Sequence, residues 1–215
     1  MKEKIINESI IEGDLIFDGK LIFKCDCEII GNLKCDEIYS EYSLKVILNQ
    51  DVRGYQYVGG NQDVGGNQDV RGNQDVGGNQ DVRGNQDVRG YQYVGGLQYV
   101  GGSQYVGGNQ DVGGNQDVRG SQDVCGSQDV RGSQDVRGYR YFSFGSKYKF
   151  GVLGDVVKIG CKEKTVSEWE EFFTTKQKIE LEPDSPAYRR LHMGFNACKA
   201  LMGWHDVYRK PEVKQ

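Results

Sequence analysis

The residues able to do chemistry in this chain fall into four groups, and none completes a catalytic or metal-binding set. Cys25, Cys27 and Cys35 place a Cys-x-Cys beside a third thiol, a set that could suit a soft metal. The spacing lacks the paired Cys-x-x-Cys of zinc sites, and Cys27 and Cys35 fall on positions expected to face a core, where Cys serves as a small apolar residue. Cys161 and His192 could be drawn as nucleophile and base, but no third group orients the base and no oxyanion motif accompanies them. Regularly spaced aspartates offer only adventitious cation binding. The fourth group is Tyr55, Tyr57, Tyr91, Tyr93, Tyr99 and Tyr105, amphipathic rings suited to protein contact. The expectation is a protein that is not an enzyme, without cofactor or metal, using its tyrosines to meet a protein partner or another copy of itself.

What must position these side chains is the stretch Asn49 to Gly138, fifteen hexapeptides of the form x-Gln-Asp/Tyr-Val-Arg/Gly-Gly, with Cys125 once in the fifth place. A short unbroken period marks a solenoid, because one unit cannot bury its apolar residue until neighbours stack on it. Gln and Val lie two apart and so point to one face of a strand, while the closing Gly supplies the freedom of a tight corner.

The segment ahead of the array tells which face is inside. Gly13, Gly19 and Gly31 keep the six-residue rhythm and put Leu15, Leu21, Cys27 and Leu33 where the array has Gln. Phe17, Phe23, Ile29 and Cys35 then stand where it has Val. The Gln and Val positions are therefore expected to face the core, with stacked amides bonding to one another because an unpaired buried amide costs a few kcal/mol. On this reading Leu at position 92 should be tolerated as it is at Leu21. The glycines of the two stretches are one residue out of phase, which places a slip between Asp36 and Leu48.

Three hexapeptides per turn, about 18 residues, is the known solution for such repeats. It sorts the fifth position into an Arg-rich first column (Arg53, Arg71, Arg89), a second column of Gly59, Gly77, Gly95 and Gly113, and a mixed third. Tyr55, Tyr57, Tyr91 and Tyr93 fall on the second side, two coils apart and about 10 Å at strand spacing. On the first side Asp51, Asp69 and Asp87 each have an Arg two positions on, which could neutralise a carboxylate ladder.

The chain has 215 residues, 37% hydrophobic, with 31 glycines and a formal charge of -4. It can bury a narrow continuous core but not a wide one. Eleven Asp against seven Arg in the array argue against nucleic acid, whose binders are distinctly basic, and the interleaved arginines weaken a DNA-mimic reading. No apolar stretch reaches bilayer length and Met1 to Gly13 lacks a signal-peptide core, so a soluble cytoplasmic protein with no membrane partner is expected, its six cysteines reduced.

In order, the chain reads as a charged leader (1–9), apolar first coils (10–48), the array (49–138), an aromatic transition (139–154) and a small α+β cap (155–215). The transition carries Tyr139, Tyr141, Phe142, Phe144, Tyr148 and Phe150. Val156 to Cys161 reads as a strand, and Thr165-Val166-Ser167-Glu168 as a capping box opening a helix through Phe173. Ser185-Pro186 starts a second helix that buries Tyr188, Leu191, Phe195, Cys198 and Met202 and can stop at Gly203. The fold class is mainly β: a three-sided hexapeptide-repeat β-solenoid with an α+β cap over its open end.

The Gly-x-Leu rhythm of Ile10 to Leu48 resembles the bactofilins, bacterial polymer-forming β-helical proteins, and the resemblance implies assembly into filaments. The Gln core departs from that pattern. The stretch VKIGCKEKTVSEWEEFF, Val157 onward with Cys161, Thr165 and Trp169, resembles a C-terminal module of uncharacterised phage and prophage proteins, which brings no activity. Hexapeptide acyltransferases share the solenoid but use a histidine base on or beside the coils, whereas His192 and His205 both lie in the C-terminal region. A small-molecule substrate is therefore not expected.

Overall fold

Each hexapeptide of the array folds as a three-residue strand over its Gln, middle residue and Val, from Gln50–Val52 to Gln134–Val136. The two residues after each Val turn the corner. A computed structural model describes residues 1–142, 148–175 and 185–208 of the chain. Its contacts divide it into two units, Met1–Gly138 and Tyr139–Gln215. Among the described residues no helix is long and apolar enough to cross a membrane.

The first unit is a parallel β-solenoid. Strands return to the same side every three hexapeptides, so Gln68 pairs with Gln50 and Gln86, Gln74 with Gln56 and Gln92, and Gln80 with Gln62 and Gln98. Ahead of the array lie β1 (Glu3–Ile6), β2 (Ile10–Glu12), β3 (Leu15–Phe23), β4 (Cys27–Ile30), β5 (Leu33–Ser40) and β6 (Leu44–Val46). β2, β4 and β6 begin an eight-stranded third side, which sets the solenoid at about eight coils of about 18 residues. The three-sided reading of the repeat holds.

The inward assignment holds as well. Leu33 pairs with Gln50, Leu44 with Gln62 and Cys35 with Val52, and both Gln and Val are buried from Gln50 through Val118. Each buried Val contributes roughly 2 kcal/mol of transfer free energy; a buried Gln is harmless only if its amide is bonded. Here it is bonded twice over. From Gln80 to Gln134 each Nε2 donates to the Oε1 one coil back and to the Oε1 two hexapeptides back, as Gln98 does to Gln80 at 2.9 Å and Gln86 at 3.2 Å. The result is a continuous amide spiral on the axis. It ends at Gln50, whose Oε1 accepts from Gln62 and Gln68 at 2.8 Å each. It bypasses Gln56, whose Nε2 and Oε1 are both buried and unpaired and which has Ile38 rather than an amide beneath it.

A second ladder holds the corners. Asn67 N donates to Asn49 Oδ1 at 2.8 Å and Asn85 N to Asn67 Oδ1 at 2.9 Å, coil upon coil. The same Oδ1 occupies the space beside the closing glycine of the next coil: a Cβ on Gly96 would overlap Asn79 Oδ1. At the closing position the overlap is with a side chain, whereas a Cβ on the fifth-position Gly95 would meet the backbone carbonyl of Gly77. The slip sits at Asp36, where β5 spends one residue fewer on its corner than β3, shown by the register change between Phe17 and Lys20.

The second unit has a four-stranded antiparallel meander (Arg140–Phe142, Phe150–Leu153, Val156–Ile159, Lys162–Thr165) and two helices, α1 (Val166–Thr174) and α2 (Pro186–Tyr208). α1 opens on the expected capping box, with Thr165 and Glu168 bonding reciprocally, and Ser185 Oγ accepts from Tyr188 N at the start of α2. Phe150, Val157, Trp169, Phe172, Phe173, Leu191 and Phe195 form the core. Trp169 Nε1 donates to Val157 O at 2.7 Å. Three details differ from the sequence reading. The strand ends at Ile159 rather than Cys161, because Gly160 takes a left-handed φ of 60° and turns the chain. Lys162–Thr165 is an additional strand, too polar to show an apolar pattern. α2 runs through Gly203 to Tyr208, since nothing forces a helical glycine into a stop. Phe144 and the His205 side chain lie outside the described residues.

Candidate protein-contact face

The three sides of the solenoid carry different chemistry on their outward positions. On the first side the middle residues run Asp51, Asp69, Asp87, Tyr105, Asp123. On the third they run Asp63, Asp81, Tyr99, Asp117, Asp135. On the second they run Ile5, Ile22, Tyr39, Tyr57, Asp75, Tyr93, Asp111. Only the second side builds an apolar and aromatic column across successive coils.

The six tyrosines therefore do not form one site. Tyr55, Tyr57, Tyr91 and Tyr93 gather on the second side, Tyr99 stands on the third and Tyr105 on the first. Tyr99 lies under the Arg119 guanidinium, 5.1 Å from the ring centroid. Tyr105 sits with its Oη 3.5 Å from Cys125 Sγ, which holds the exposed Cys125 thiol against the surface. Tyr91 is 59% exposed, and Tyr55 and Tyr93 are 42% exposed each; Tyr57 is half-buried. Its ring stacks on Tyr39, centroids 5.1 Å apart and planes 23° apart, and Lys20 Nζ covers the other partner at 5.5 Å from the Tyr39 centroid. Tyr39 belongs to the face although the hexapeptide rhythm does not include it. Its place one coil below Tyr57 was the signal that could have found it.

A hollow of about 300 Å³ opens on this side between two outward rows. One wall is Tyr55, Asn73 and Tyr91, and the other is Asp75, Tyr93 and Asp111. Asn73 Oδ1 accepts from Tyr91 N at 3.0 Å, which fixes the wall from within. Burial pushes the Asp75 carboxyl up, with no cation opposing it. Asp81 and Asp87 are raised by burial too, but Arg83 and Arg89 pull them back.

Arg83 and Arg89 partly offset the charge of their own Asp81 and Asp87, as their spacing suggests, but the close ion pairs are made elsewhere. Arg53 bonds Asp18 at 2.7 Å and Asp36 at 3.3 Å, while Lys34 pairs with Asp51 at 3.2 Å. Arg83 and Arg131 approach Asp63 and Asp111 of the coil before, each at 3.9 Å. The fifth position lies past the corner, so its side chain reaches along the axis rather than back along its own strand.

Cys27 and Cys35 are core residues whose thiols burial pushes up to about 11 and about 12, and Cys25 Sγ donates to Asn7 O at 3.4 Å. No group of three His, Cys, Asp or Glu side chains has metal-holding geometry among the described residues. His192 stacks on Phe173 with centroids 4.5 Å apart, and no described hydrogen bond joins it to Cys161, which is exposed. Compared with protein-family models, curated proteins and solved structures, the chain finds no match.

Proposed function

We propose that the chain is a non-enzymatic structural or interaction protein, a rigid solenoid whose second side contacts a protein partner or a second copy in the cytoplasm. One observation carries this reading: the column Ile5, Ile22, Tyr39, Tyr57, Asp75, Tyr93 is in register across six coils, about 24 Å at strand spacing. Glycines at 59, 77, 95 and 113 flank its upper part, so above Tyr39, which Lys20 covers, no array Arg stands at the fifth position of this side until Arg131. A flat, rigid, aromatic strip with little side-chain entropy to lose is the surface type that protein contacts favour. The test is the Tyr91→Ser/Tyr93→Ser double variant, assayed by sedimentation velocity and by affinity capture from the native host. Loss of association with an unchanged melting temperature is expected, and unchanged association would end this reading. Tyr57 is left intact, because its stacking on Tyr39 makes it structural.

Polymer formation, which the bactofilin resemblance implies, is the second reading. β2 is an edge of the eight-stranded side, and its Ile10 is 56% exposed; an open apolar edge is where another copy's strand can add. Filaments seen by electron microscopy for the wild type and lost in Ile10→Lys would favour it. A phage source fits the resemblance carried by residues 157–173.

A further inference from the structure

We infer that the hollow between Tyr55, Tyr91, Tyr93 and Asp75 is a cage for a cationic side chain, the ammonium of a lysine or the guanidinium of an arginine presented by a partner protein. The inference rests on the second side being a protein-contact face and names what that face recognises.

Geometry supports it first. Tyr55 and Tyr91 flank Asn73 on one wall, at the corresponding positions of three successive coils. At strand spacing the backbones of Tyr55 and Tyr91 each lie about 5 Å from that of Asn73, a separation compatible with the range of about 6 Å over which a cation is drawn to an aromatic face. Tyr93 closes the opposite wall one coil above Asp75. The hollow, at about 300 Å³, takes a side-chain terminus and not a folded segment.

Charge supports it second. Asp75 faces the hollow without a described ion-pair or hydrogen-bond partner, and the fifth position of its side is Gly59, Gly77, Gly95 and Gly113 through this stretch. Asp111 adds a second carboxylate whose Oδ1 is buried and unpaired, its Oδ2 only grazed by Arg131 at 3.9 Å. The first side, by contrast, lines its own hollow with Asn49, Asp51, Asn67, Asp69, Asn85 and Asp87 and has no ring there. Rings plus an uncompensated carboxylate select a cation over a neutral or anionic group. A net charge of -4 draws basic partners over longer range.

The probes are four short peptides, identical except for a central lysine, trimethyllysine, arginine or glutamine, titrated into the full-length protein and followed by amide NMR shifts. The three cationic peptides are expected to shift Asn73, Asp75, Tyr91 and Tyr93, and the glutamine peptide to leave them still. Asp75→Asn should weaken cationic binding at least tenfold, whereas Asp69→Asn, the same charge change on the first side, should not. Equal binding of the glutamine peptide, equal loss in Asp69→Asn, or no shift with any cation overturns the cage. If Asp75→Asn instead abolishes self-association of the protein alone, the cation belongs to a second copy and the separate-partner assignment falls. The contact-face reading is judged separately, since the Tyr91→Ser/Tyr93→Ser variant can lose association even where no cationic peptide binds.

Discussion

Gln92 Nε2 donates to Gln74 Oε1 at 2.8 Å, one coil back on the same side, and this single bond is repeated up the axis of the solenoid. Gln92 also donates to Gln80 at 3.1 Å and accepts from Gln104 and Gln110 at 3.0 and 2.7 Å. Its two N–H groups and its two lone pairs are all used, so the amide is satisfied without water. Leu at this position would remove one partner from each of four neighbours. The idea that Leu fits here as it does at Leu21 is thereby corrected: Leu21 stacks under Ile38, among apolar residues that ask for no hydrogen bond. Gln92→Leu is expected to cost about 2–4 kcal/mol. Gln56→Leu, which removes an amide with neither end paired, is expected to be neutral or stabilising by about 1 kcal/mol. Urea denaturation followed by circular dichroism checks both; equal effects would mean the spiral contributes nothing.

The amide spiral explains how much of the fold was legible. Period six, the corner glycine and the alignment of Leu33 with Gln50 were enough to give the three sides and the inward face, because stacking an identical repeat leaves few alternatives. Cross-side bonds such as Gln92 to Gln80 were not legible, since a repeat shows which residues stack and not how far a flexible side chain reaches. The Arg–Asp relation was legible in part: Arg89 does offset Asp87, whereas the ion pairs of Arg53, Arg83 and Arg131 with residues of other coils were not legible in the spacing. The contact face was half legible. Tyr55, Tyr57, Tyr91 and Tyr93 came from the columns, whereas Tyr39 and Ile22 lie before the array and join the face only through strand register.

Asn79 and Gly96 provide a test of the corner. Leu97 N donates to Asn79 Oδ1 at 2.8 Å, and the oxygen that accepts this bond fills the space a Cβ on Gly96 would need. Asn79→Ala alone should cost about 1 kcal/mol for the lost bond. Gly96→Ala alone should cost about 1–3 kcal/mol by overlap. In the double variant the overlap with the side chain is gone, so the costs should fall short of additivity by about 1 kcal/mol. Strict additivity in thermal or urea melts would show that the backbone of the coil before, not Asn79, is what excludes a side chain.

Acidification should move the two units in opposite directions. Asp75, Asp81 and Asp87 are held above the ordinary value of 3.8 by burial, so the folded solenoid binds protons more readily than the unfolded chain. A group raised in this way contributes stability that is full below 3.8 and is lost as pH rises through its folded value. Lowering the pH from 7 toward 4 should thus strengthen the solenoid. In the second unit Glu163 is held below the ordinary 4.5 by hydrogen bonds from Lys158 and Tyr139, and Glu168 by those of Thr165. Their contribution is present above 4.5 and is lost as pH falls through the depressed values. Buried Trp169 reports the second unit by fluorescence, and the part of the far-ultraviolet circular-dichroism transition that does not coincide with it reports the solenoid strands. The circular-dichroism midpoint in urea should rise between pH 7 and 4, and the fluorescence midpoint should fall once the pH drops below 4. Asp75→Asn combined with Asp87→Asn should flatten the first trend and leave the second unaltered. A solenoid midpoint that falls steadily from pH 7 would show that its aspartates are stabilised as carboxylates, against the burial that surrounds them.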